Sequence, residues 1–392
     1  MHSEISPGKW PVFETDEVTK VCEVLNSGKV NYWTGTEGRE FEREFSKLAE
    51  TDYAIALANG TVALELALKA LGVGCGDDVI VTPRTFIASV SSILNCGATP
   101  VFADVDTDSQ NISAETISRV ITSRTKAVIC VHLAGWPCEM DEIMSLAERN
   151  GFYVIEDCAQ AHGAKYKGRS VGGIGHVGAW SFCQDKIMST GGEGGMLTTN
   201  SKEIWNKAWS YKYHGRSYDA VYNRDHPPGH RWYCESIGTN WRLTEMQSAI
   251  GRIQLQKMPR WHSQRLSNYR YLERICLDIE GLRTPRVPRH MEHAGYRFYT
   301  FLRPDRIREG WDQDRIVSEI NEMSGLCLHG SCSEVYLEKA FSGGACRPQS
   351  RLPNAKLLGE TSLAFLIHPT LTEYDLERLK DAICSTMSQA IE

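Results

Sequence analysis

Between about residues 53 and 200, short apolar runs alternate with stretches of helical period. Ala54 to Leu57 is predicted as a strand, and Val62 to Leu71 as a helix closed by Gly72. Asp78 to Thr82 reads as a strand, and Ala88 to Cys96 as a helix ending at Gly97. Pro100 to Asp104 is a strand, followed by a helix over Glu115 to Ile121. Ala127 to His132 is a strand, followed by a helix over Asp141 to Asn150 that stops at Gly151. Tyr153 to Glu156 is the next strand. Upstream, residues 12 to 50 read as helical around a turn-rich break from Gly28 to Gly38. Residues 214 to 240 break the rhythm with Gly, Pro, His and aromatic residues, as a functional or mobile loop would. Residues 243 to 280 are predicted as one long helix with a stop or kink near Pro259. From about 283 the pattern is mixed again.

Strands and helices alternating at this spacing imply right-handed crossovers and a mainly parallel sheet covered on both faces. The chain has 392 residues, 42% of them hydrophobic, enough for more than one lobe. The division expected is a large domain over 1–250 and a small C-terminal domain over 251–392. A net charge of -6 without a basic run gives no ground for nucleic-acid binding. No run reaches the ~18 apolar residues of a membrane span, and Met1 to Trp10 carries no apolar signal core. The cysteines number 13, an odd count in a long chain with no C-x-x-C pair. Reduced thiols and a cytoplasmic setting are expected. Cys327 and Cys332 lack a second pair at ligand spacing, so no metal is assigned.

Four segments carry candidate chemistry. Asn59-Gly60-Thr61 lies between a strand and a helix, where free N–H groups can meet an anion; a plain capped helix is the competing account. Val154 to Gly163 ends a strand in an acidic pair, Glu156-Asp157, at the carboxyl end where open α/β sheets bind ligands. That aspartate could face a protonated ring nitrogen or simply cap the next turn. Ala179 to Lys186 precedes the glycine-rich turn Gly191 to Gly195. A lysine there, near other positive groups and an apolar wall, can have a lowered pKa that activates it for Schiff-base chemistry, although a surface lysine beside a turn has the same local signature. Gly238 to Met246 leads into a helix, with Asn240 or Arg242 able to reach an anion. There is no G-x-x-x-x-G-K-[ST] and no G-x-S-x-G, and Gly72, Gly74 and Gly76 follow a helix rather than a strand, which leaves no firm dinucleotide fingerprint.

Taken together, these segments resemble the DegT/DnrJ/EryC1/StrS family, sugar aminotransferases of the fold-type I pyridoxal 5'-phosphate (PLP) enzymes. The likeness runs from Asn31-Tyr32-Trp33-Thr34-Gly35 to Ile367-His368-Pro369-Thr370-Leu371. It implies a three-layer αβα, aspartate-aminotransferase-like large domain with a smaller C-terminal α/β domain. It implies Lys186 as the Schiff-base lysine, Asp157 as partner of the pyridinium nitrogen, and Gln160 on the ring hydroxyl oxygen. Ser181, Gly60 and Thr61 would bind the phosphate, and Phe86 would stack on the ring. Asn240 resembles the asparagine that a neighbouring subunit supplies to the phosphate, so a homodimer with shared sites is implied. The expected reaction is ping-pong transfer from an amino acid, glutamate by preference, through pyridoxamine 5'-phosphate to a nucleotide-linked 3- or 4-keto sugar.

Two stretches depart from the commoner pattern. Phe182-Cys183-Gln184-Asp185 stands where more familiar members carry a histidine-proline-threonine stretch, and residues 329 to 337 also differ. Both border the substrate site in the family, so the identity of the sugar stays open. The alternatives are a dehydratase of the same fold, which would replace the lysine with histidine, and a protein that binds PLP without turning it over.

Overall fold

The computed structural model describes residues 7–226, 234–342 and 346–391. Seven strands form the central sheet, in the order Tyr53–Leu57, Gly195–Thr199, Val177–Ser181, Tyr153–Asp157, Thr125–Val131, Asp78–Val81 and Thr99–Phe102. The last five run parallel to one another. Gly195–Thr199 is antiparallel to both of its neighbours, so the sheet is mainly but not wholly parallel. The two-residue period of each strand sorts its side chains onto two covered faces. Ile55, Leu57, Val79, Val81, Ile129 and Ile155 pack with the helices Gly60–Ala70 and Ala88–Asn95. From the same strands, Ala54 and Ala56 join Phe41 and Phe45 of the helix Glu37–Leu48, while Ile80, Val128 and Val154 meet Ile143 and Leu146 of Met140–Asn150. Helix, sheet and helix make three layers, as the fold-type I resemblance implies.

The C-terminal part carries its own antiparallel sheet, ordered Leu282–Arg283, Arg297–Leu302, Ser362–Leu366 and Cys327–Leu328. The helices Gln313–Ser324 and Glu373–Ala390 cover it. The long helix Glu245–Leu277 links the two parts. Near its start Arg252 pairs with Glu37 and Glu44, and Lys257 with Glu14, Asp16 and Glu17. Near its end Tyr269, Leu272 and Cys276 enter the C-terminal core. A boundary at 250/251 therefore falls within the first turns of this helix. The stop predicted near Pro259 is absent: 33 residues run as one element with Pro259 inside. Burial of Gln254, Met258 and Trp261 on either side of the proline outweighs its lost backbone donor. The predicted helix Glu115 to Ile121 is shorter and earlier, Ala114–Ser118. Within 214–240 the chain forms a short helix, Tyr218–Tyr222; of the Pro-Gly-His stretch singled out there, residues 227–233 lie outside the described residues, as do the first six.

Candidate active site

The strand Tyr153–Asp157 ends by burying Asp157, whose neighbour Glu156 faces the opposite side. Asp157 accepts hydrogen bonds from the Ser89 hydroxyl (2.9 Å) and the Ala159 N–H (3.1 Å), both neutral donors. Burial raises its pKa, and these donors together with the charge of Lys186 offset it only in part. Glu156 has the reverse outcome. Burial would raise it, but His132 at 3.0 Å and the N–H groups of Gly172, Ile174 and Gly175 hold it below the ordinary carboxylate value. His132 Nδ1 accepts from the Cys138 N–H, so Nε2 carries the proton that points at Glu156. His132, Glu156 and Cys158 cluster closely enough to hold a metal, but with the carboxylate taking these donors the cluster reads as a prop beneath Asp157.

Lys186 follows the strand Val177–Ser181 by one turn, and its side chain is 15% exposed. Its Nζ lies 3.2 Å from Asp185 Oδ2 and 5.3 Å from the centre of the Tyr296 ring. Burial lowers the lysine's pKa, but Tyr296 and Asp185 outweigh burial and leave it raised. An N-terminal strap closes the other side: Trp10 Nε1 donates to the Lys186 carbonyl at 2.8 Å. Trp10 also packs on the buried Arg265, 4.7 Å from its ring centre.

The phosphate cradle suggested by the sequence is a tight place. Asn59 caps the helix Gly60–Ala70, accepting from Val62 N–H with its side chain and from Ala63 N–H with its carbonyl. The amides of Gly60 and Thr61 are then the first-turn donors left for an anion. A Cβ on Gly60 would stand 2.6 Å from Ser181 Cβ, and one on Gly195 would stand 2.3 Å from the Asn59 carbonyl oxygen. Only glycine permits Asn59–Thr61, Ser181 and Gly195 to meet this closely. A compact anion against backbone donors, a buried carboxylate without a cation bonded to it, and a lysine one turn beyond the serine together fit PLP. Gln160 takes the Ala134 N–H on its side-chain oxygen (2.7 Å), which leaves its amide N–H₂ as a donor.

Phe86 is 68% exposed, three residues before Ser89, the residue that bonds Asp157. That position suits an aromatic awaiting a planar ring. Asn240 is exposed; its side-chain oxygen accepts the Arg242 N–H (3.4 Å) and its backbone pairs with Tyr213, and among the described residues it shares no hydrogen bond with the cradle. Lys186, Asp157, Ser181 and Gly60 are thus brought together, with Gln160 and Phe86 on adjoining turns, while Asn240 stands apart. Sequence reasoning assigned no role to Ser89, Trp10, Tyr296 or Asp185. It also passed over Arg84, whose buried guanidinium donates to Gln110 (2.8 Å), Ser333 (2.6 Å) and Ser362 (3.1 Å). Arg84 thereby ties the loop before Phe86 to the divergent 329–337 segment. Of these residues only Ser89 had a local signal, one helical turn after Phe86.

Comparison with known proteins places this geometry. The profile of the DegT/DnrJ/EryC1/StrS aminotransferase family matches residues 11–384. The crystal structure of an aminotransferase from Psychrobacter cryohalolentis is 55% identical, with a TM-score of 0.96, over 98% of this chain and 100% of that one. The dTDP-3-amino-3,4,6-trideoxy-alpha-D-glucose transaminase of Streptomyces venezuelae is 33% identical over 94% of this chain and 91% of its own. The GDP-perosamine synthase of Escherichia coli O157:H7 is 40% identical over 63% of this chain and 66% of its own. With its sequence matched along nearly its whole length, the chain belongs to the DegT/DnrJ/EryC1/StrS aminotransferase family, whose cofactor is PLP.

Proposed function

We propose that this aminotransferase moves an amino group from L-glutamate to the ketone of a nucleotide-linked 3- or 4-keto deoxysugar, for amino-sugar and surface-polysaccharide synthesis in the cytoplasm. The observation that carries the reading is the meeting of Lys186, Asp157, Ser181 and Gly60 at one end of the central sheet. The names of the relatives support the substrate class. One is a GDP-perosamine synthase and another a transaminase of a dTDP-amino sugar, so the class is favoured but no nucleotide is singled out. When bound, PLP supplies the electron sink that makes the proton on the amino-acid carbon labile.

The residues do the rest. Asp157, buried and holding its negative charge against neutral donors, keeps a proton on the ring nitrogen. Ser181 Oγ and the amides of Gly60 and Thr61 hold the phosphate dianion without a basic patch. Phe86 covers a ring face, and the Gln160 amide donates to the ring oxygen. Lys186 would hold the cofactor covalently through Nζ, and its free amine would take and return the proton of the amino-acid carbon. Asn240, exposed and apart from the cradle of its own chain, would act on the phosphate of the partner subunit, which makes a homodimer the working unit. A dehydratase of this fold would carry histidine at position 186.

The test is spectroscopic. The purified protein reconstituted with PLP should change its cofactor absorbance on adding L-glutamate and recover it on adding a nucleotide-linked keto sugar. If no amino donor changes the spectrum, transamination is wrong and a binding-only role remains.

A further inference from the structure

We infer that Asp185 and Tyr296 form a resting place for the Lys186 amine, positioning it beside the cofactor whenever it is not covalently engaged. The inference rests on the reading of Lys186 as the covalent anchor. Asp185 Oδ2 lies 3.2 Å from Lys186 Nζ and accepts the Tyr296 hydroxyl at 2.6 Å on the same oxygen. The Tyr296 ring lies under the same ammonium, 5.3 Å from its centre. A carboxylate and the face of an aromatic ring thus contact one cation from two directions, and each favours its charged form. Tyr296 is 5% exposed and reaches the site from the start of the C-terminal sheet, 111 residues along the chain from Asp185. Its hydroxyl fixes the carboxylate, which could otherwise turn to water, since Asp185 is 46% exposed. Arg297 stacks on Tyr296, 5.1 Å from its ring centre, and its charge steadies Asp185 from behind.

The other groups facing Lys186 do not duplicate this arrangement. Asp157 acts on the lysine only through its charge, its oxygens being engaged by Ser89 and Ala159. His162 is buried and neutral, and Cys183 is a half-buried thiol whose pKa burial raises. Asp185 occupies the stretch in which this chain departs from the commoner family pattern. The departure therefore places a charge at the lysine itself, besides altering the sugar side of the site. Asp185 and Tyr296 are positioning residues: one acts on the amine, the other on the carboxylate that holds it.

Acylation of the cofactor-free protein tests this directly. Wild type, Asp185→Asn and Tyr296→Phe are treated with acetic anhydride across a pH series, and modification of Lys186 is read by peptide mass spectrometry. Losing the carboxylate frees unprotonated amine, so Asp185→Asn should be acylated about three- to tenfold faster near pH 8, the lower figure reflecting a half-exposed partner. Tyr296→Phe should move the profile the same way by less. An Asp185→Asn profile that superimposes on wild type overturns the inference, whatever Tyr296→Phe does. Borohydride treatment of the PLP-loaded wild type separates the underlying reading. If Lys186 is not the labelled residue, the anchor assignment has failed; if it is labelled while the acylation profiles coincide, only the resting place has failed.

Discussion

Asp157 and Glu156 are consecutive on one strand and fully buried, yet their environments drive them apart. Glu156 is ringed by donors and held low, whereas Asp157 has two neutral donors and is raised. A pair pushed in opposite directions marks which one does chemistry and which one braces it. Asp157→Asn should keep the fold and the borohydride-trapped cofactor, but lower kcat on the order of 10²–10³, the scale for losing one preorganised electrostatic partner. A kcat within a few-fold of wild type would remove Asp157 from the mechanism. His162 offers a second case. It sits among Phe45, Trp180 and Phe182, and neither ring nitrogen makes a well-formed hydrogen bond, the approach of the Ser181 backbone notwithstanding. Burial lowers its pKa from 6.5 to about 3. The unfolded chain therefore binds the extra proton first, and stability falls as pH drops below 6.5 toward 3, by roughly 1.4 kcal/mol per unit for this group. His162→Phe should flatten that slope, so urea midpoints of variant and wild type should diverge at pH 5 in favour of the variant. Parallel pH profiles would contradict it. At this scale Lys186, Asp157 and Ser181 were singled out through the ordered set of motifs that carries the resemblance, for each taken alone has a bland local reading. The sequence could not show Tyr296 or Arg84, whose partners lie 111 and 249 residues away and meet them only through the packing of two lobes.

Strands and helices through residue 157 were legible because each buries a continuous or periodic apolar set, and the observed ends shift by only a few residues. The antiparallel strand Gly195–Thr199 was not, since nothing in a run of five residues records its direction. Direction comes from the return between Ser181 and Gly195, which forms no helix to carry a parallel crossover and folds the chain back alongside Val177–Ser181. Of the stop or kink expected near Pro259, the stop is absent for the opposite reason: local propensity pointed to an end, and packing on both sides overrode it. The long helix nonetheless carries a missing hydrogen bond at its middle. Pro259→Ala should raise the unfolding free energy by about 1–3 kcal/mol, seen as a higher urea midpoint at unchanged slope. An equal or lower midpoint would mean that the proline ring packs something the helix needs.

At the scale of the whole molecule, two large apolar side chains near the site stand exposed. Phe86 is 68% exposed and Ile237, three residues before Asn240, is 90% exposed. If Asn240 serves the neighbouring site, Lys186→Ala and Asn240→Asp should each be nearly inactive alone. Mixed and re-associated, the two should recover about a quarter of wild-type activity, because half of the dimers then hold one intact site. No recovery would place Asn240 within its own subunit's site or outside any. The dimer is implied only through resemblance, for a single chain does not display what one of its residues would do in a neighbouring subunit. The cradle has a different consequence. Gly60 packs against Ser181, and Gly195 against Asn59 and Gly60, although these residues are spread along the large lobe, and neither glycine has room for a Cβ. These positions must therefore be inherited together. Chimaeras between this chain and its relatives should tolerate crossovers beyond residue 200 far better than crossovers between 61 and 181, which would join a strand end from one parent to a serine turn from another.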